Sequence, residues 1–94
     1  MGVLVVLEMD GSAEALLAAA EDLEARRPAP AVLARAVAPT ATGLVVVTFW
    51  ESAEARDAYQ SDPAHREALQ ASGLLDAVTE MRSRVFEDAR LKLP

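Results

Sequence analysis

The tetrapeptide Ser-Ala-Glu-Ala occurs twice, at residues 12–15 and 52–55, each time directly after an apolar run. The first copy reads VLVVLEMDGSAEA and the second LVVVTFWESAEA. Both have the chemistry of a strand-to-helix junction. A Val-rich run favours extended backbone, a Ser side chain can cap the following helix, and a Glu in the first turn suits the positive end of the helix dipole. The repeat predicts two strand–helix–strand units in the order β-α-β-β-α-β. That is the split pattern of a ferredoxin-like α+β fold, with an antiparallel four-stranded sheet and helices on one face. At 94 residues the chain is expected to form a single domain, residues 1–94.

The remaining elements follow from local signals. Val3 to Met9 is apolar without alternation and reads as a central strand covered on both faces. A helix runs from the Ser12 cap, with Leu16, Ala20 and Leu23 at helical spacing, to Arg26 and Arg27, where Pro28 stops it. Ala31 to Ala38 reads as a second strand, paired through the turn at Pro39 to Gly43 with a third strand, Leu44 to Trp50. A helix capped by Ser52 is interrupted at Asp62-Pro63, where Asp can cap a restarted helix that ends at Gly73. Leu74, Val78, Met81 and Val85 fit a helical stripe, but residues 79–86 also alternate. The second unit needs its closing strand, so residues 78–87 are assigned to it.

Composition narrows the function classes. Hydrophobic residues make up 52% of the chain but only four are aromatic. A domain this small buries only about 60–65% of its unfolded surface, so the excess apolar surface is expected to face a partner or a ligand. The formal charge of -6 divides evenly, with three basic and six acidic residues in 1–47 and six and nine in 48–94. With no basic patch in either half, neither nucleic acid nor an anionic membrane surface is an expected partner. There is no cysteine, which removes thiolate catalysis and thiolate metal sites. No signal-like or spanning segment is read, so a cytoplasmic location is the expectation.

The stretch Gly43 to Leu69, GLVVVTFWESAEARDAYQSDPAHREAL, resembles the antibiotic-biosynthesis-monooxygenase-like family of dimeric α+β barrels. The resemblance rests on Trp50-Glu51-Ser52 at a strand end, the Ala/Glu-rich helix, Tyr59 near its end, and Ser61-Asp62-Pro63-Ala64-His65. It implies a homodimer with two sheets packed face to face, and a small hydrophobic ligand held between each sheet and its own helices. Members include cofactor-free oxygenases of aromatic polyketides, cyclases, and haem-degrading oxygenases. The last group uses an Asn on the first strand and a Trp and a His on the second helix. This chain has no asparagine, and Tyr59 and Leu69 stand near the latter two positions. The resemblance therefore implies neither haem nor any other cofactor.

Chemistry is sparsely encoded. His65 is the one histidine and, by intrinsic pKa, the natural general base. An exposed imidazole with no role is its plainer reading. Trp50 and Tyr59 can wall a flat substrate or simply pack, and strand alternation leaves Trp50 free to face either a pocket or a dimer interface. Arg35 is a candidate anion donor, Arg82 and Arg84 are weaker ones, and Glu8 is the alternative base. Asp62 and His65 alone are too few for a metal site, so no metal is expected. Ser12 and Ser52 are explained by capping, and Lys92, the one lysine, lies in the tail. A cofactor-independent monooxygenase or cyclase, a non-catalytic binding module, and a structural dimer with a filled pocket all fit these residues.

Overall fold

A computed structural model describes Met1–Pro94. Strand β1 (Gly2–Asp10) leads into α1 (Ala13–Arg26), β2 (Val32–Pro39) and β3 (Gly43–Trp50). Helices α2 (Ala53–Ser61), α3 (Pro63–Ser72) and the short α4 (Leu74–Ala77) then return the chain to β4 (Glu80–Ala89). The four strands form one sheet in the order β2-β3-β1-β4, every neighbouring pair antiparallel. The two repeat units thus interleave, each contributing one central strand, and the ferredoxin-like expectation holds.

The caps behave as the sequence predicts. Ser12 and Ser52 accept from the amides of Ala15 and Ala55 at 3.3 and 3.1 Å. Asp62 ends α2 and caps α3, accepting from Ala64 N–H at 2.9 Å, with Pro63 in the first turn. Gly73 closes α3 at φ 81°, where a side chain would be strained. The closing strand begins two residues later than assigned, because Leu74–Ala77 makes one more helical turn first.

Alternation sorts the sheet into two faces. Val3, Val5, Leu7 and Met9 of β1 and Leu44, Val46, Thr48 and Trp50 of β3 are cross-strand neighbours on the helix-covered face. One buried cluster there joins Met9 and Leu44 to Leu16 and Ala19 of α1 and Leu74 of α4. A second joins Val3, Val5 and Trp50, with Tyr59 packed against it. On α1 the buried stripe is Leu16 and Ala19, and Leu17 is exposed. The opposite face presents Leu4, Val6, Val45, Val47 and Phe86 to no element of the chain, while Phe49 on the same face is already buried, its ring against Gly2. At one end of this face Arg82 bonds both carboxylate oxygens of Asp10 at 3.0 and 3.1 Å and pairs with Glu8 at 3.6 Å.

An irregularity in β2 matters for the site. Val32 pairs with Trp50, yet Ala34 pairs with Phe49, so one extra residue sits in the edge strand. Leu33 is displaced outward and is 54% exposed. The shift turns Arg35 to the position opposite Thr48, on the helix-covered face.

Candidate functional site

Between the sheet and its helices lies a cavity of about 290 Å³, close to the lower end of the roughly 300–1,000 Å³ typical of small-molecule sites. Its apolar walls come from β1 and β3 (Val5, Leu7, Met9, Val46) and from the helices (Ala20, Leu23, Leu69, Leu74). Met81 and Ser83 of β4 close one side. Ala20 of α1 contributes only a methyl group to this lining. Trp50, Tyr59, His65 and Arg35, the leading candidates from the sequence, all line it.

Trp50 points to the helix-covered face and not to the open one. Its indole N–H donates to Thr48 Oγ1 at 3.1 Å, fixing the ring along the strand. The Trp50 and Tyr59 ring centroids lie 5.4 Å apart, and those of Tyr59 and His65 lie 5.1 Å apart edge to face. The three rings form a continuous aromatic wall from the end of β3, over α2, to the start of α3.

Tyr59 is tied down from outside. Its hydroxyl donates to the Arg27 carbonyl at 2.7 Å, while the Arg27 guanidinium donates to the Tyr59 carbonyl at 2.7 Å and lies 3.8 Å over the Tyr59 ring. Arg27 also pairs with Asp62 at 3.2 Å. One arginine at the end of α1 therefore holds α2 and the α2–α3 break. From the sequence Arg27 reads only as a helix-end cation, because nothing local announces partners 32 and 35 positions away.

His65 stands in the first turn of α3 with Nδ1 buried and without a hydrogen-bond partner. Desolvation, with a smaller contribution from the Arg27 charge, holds its pKa below the usual 6.5. The imidazole is therefore uncharged at neutral pH and can accept a proton.

Arg35 is engaged by Glu24 at 2.7 Å at the edge of the cavity, so its charge is already matched. Glu8 is not a second base for this site, since it lies on the opposite sheet face beside Arg82. Arg82 and Arg84 share that opposite face and cannot reach the cavity through the sheet. Two further residues belong to the site. Leu69 lines the cavity, and so does Arg56 of α2, whose Nε is buried without a partner. Arg56, Tyr59 and Gln60 fall on one helical face at i, i+3 and i+4. That spacing, anchored on Tyr59, is the sequence signal that identifies Arg56. No group of three potential metal ligands gathers anywhere in the chain, and no helix is long and apolar enough to cross a membrane.

No protein-family model matches the chain, and no curated protein matches it. Solved structures do. A point mutant of SnoaB, a cofactor-independent oxygenase from Streptomyces nogalater, superposes with TM-score 0.72 at 18% identity, over 99% of this chain and 97% of that one. A dimeric ferredoxin-like protein of unknown function from Thermobifida fusca gives 0.66 at 20% identity, over 92% and 90% of the two chains. A protein from Deinococcus radiodurans, provisionally named an antibiotic biosynthesis monooxygenase, gives 0.63 at 20%, over 100% and 98%. At such identities the likeness is one of fold, and the chain shares the ferredoxin-like α+β fold of these structures.

Proposed function

We propose that the protein is a cofactor-independent monooxygenase acting on a small hydrophobic substrate of the aromatic or polyketide type, with His65 as general base. The observation that carries this reading is the cavity itself, where an uncharged imidazole joins an aromatic wall of Trp50 and Tyr59 under apolar strands. An acidic C–H or phenolic O–H placed against His65 can lose its proton to the ring, and the apolar walls keep the resulting anion electron-rich. That anion reduces O₂. For a substrate methylene the balance is R₂CH₂ + O₂ → R₂C=O + H₂O, the substrate supplying all the electrons. The Trp50 and Tyr59 rings hold a flat substrate in place. The oxygenase described for one structural neighbour supports this chemistry on the shared fold.

In the same reading the protein works as a homodimer, two copies meeting through the uncovered sheet face. Its apolar residues and the dimeric description of structural neighbours support this.

Oxygen uptake with anthrone, followed as anthraquinone formation, tests the catalytic reading. His65→Ala should lower the rate by about a hundredfold or more with little change in melting temperature. Full activity in that variant would remove His65 as the base. Absence of uptake with anthrone and related phenols, despite binding, would make the cavity a ligand carrier.

A further inference from the structure

The charge balance of the cavity is uneven. Three of the chain's nine basic residues, Arg27, Arg35 and Arg56, line it, against the single carboxylate of Glu24. In an acidic chain this concentrates positive charge at one place. Two of the three guanidinium groups are spoken for: Arg27 by Asp62 and the Tyr59 carbonyl, Arg35 by Glu24. Arg56 has neither an ion pair nor a side-chain hydrogen bond, and its Nε is cut off from water. The rest of the half-buried side chain opens on the cavity; an Nε taken from water without a partner is unfavourable, and an anion delivered to the guanidinium restores the balance.

We infer that Arg56 is an anion-binding residue of this cavity and that the ligand carries a carboxylate on its aromatic body. The inference rests on the reading of the cavity as a ligand site. Arg56 sits on α2 one turn before Tyr59, so a carboxylate bonded to its fork places the attached ring beside the Trp50–Tyr59 wall. The remaining part of the ligand then extends toward His65 on α3. Arg56 fixes the end that does not react and leaves the other end to the base. This accounts for an unpaired cation in a largely apolar cavity, and it selects aromatic acids over neutral polycyclic compounds of the same shape.

Calorimetric titration of the full chain with 2-naphthoate and with its neutral isostere 2-naphthamide, at neutral pH, tests this. The acid should bind about tenfold or more tighter than the amide, as expected for a charge-assisted bond in a partly desolvated site. Arg56→Gln should abolish that preference, bringing acid and amide to similar affinity, whereas Arg56→Lys should keep part of it. Equal binding of the two probes to the native chain, or a preference that survives Arg56→Gln, would overturn the role of Arg56 and leave the cavity reading intact. Failure of both probes to bind would overturn the ligand site and this inference with it.

Discussion

His65 shows how burial sets chemistry at a single side chain. Its pKa is lowered chiefly by desolvation, so the unfolded chain binds a proton that the folded chain refuses. Stability should be complete above the unfolded value near 6.5 and fall as pH drops through the depressed folded value. Urea denaturation between neutral pH and mildly acidic pH should show this loss, and His65→Gln should flatten it. A native chain equally stable across that window would contradict the burial. Asp10 behaves in the usual carboxylate sense. The hydrogen bond from Arg82, then that from Thr42, lowers its pKa, so its contribution is lost only at strongly acidic pH. Tyr59→Phe isolates the hydroxyl from the ring. It removes the bond to the Arg27 carbonyl and should lower stability by about 1 kcal/mol, while the aromatic wall and substrate binding persist.

At the scale of elements, α2 is the least anchored of the helices. It alone among them contains no buried residue, and Arg27 grips its last turn through the Tyr59 carbonyl, the Tyr59 ring and Asp62. Arg27→Ala should therefore speed amide exchange across residues 53–61 while β1 and β3 keep their protection. Equal protection of α2 in both proteins would show that the aromatic packing alone holds it. Gly43 tests the sheet in the same way. It opens β3 opposite Asp10, and a Cβ there would collide with the Met9 carbonyl. Gly43→Ala should destabilise by several kcal/mol (about 2–4), since backbone must move in the central pair. A melting temperature within a degree or two of the native value would refute this packing.

The whole molecule has more apolar surface than it can cover. Only 12 of 94 residues are buried, and the sheet face away from the helices holds Leu4, Val6, Val47 and Phe86, the last 46% exposed. Sedimentation at micromolar concentration should give twice the 10.0 kDa chain mass. Val47→Glu, a charge at the centre of that face, should shift the equilibrium toward monomer. A native chain that sediments as a stable monomer would exclude the sheet-to-sheet pairing. Haem and divalent ions should not saturate a site at one per chain, a result checked by a Soret titration and by metal analysis after dialysis.

Much of the fold was legible because its signals are local. The duplicated Ser-Ala-Glu-Ala junction, the Asp62-Pro63 restart and the Gly73 stop each act through their own backbone, and each lies where the sequence places it. The pocket corner was legible too, since Trp50, Tyr59 and His65 are encoded within sixteen positions. What only the tertiary structure decided is direction and partnership. The extra residue in β2 reverses the alternation that would have turned Arg35 away from the cavity. The strand pairing puts Glu8 on the far face beside Arg82. Arg27 finds Tyr59 and Asp62 from another helix, and Arg56 is left in the cavity without a partner. Caps and turns are set by neighbours in the chain, whereas a side chain's charge partner and facing depend on strand register and helix packing, which no local run of residues contains.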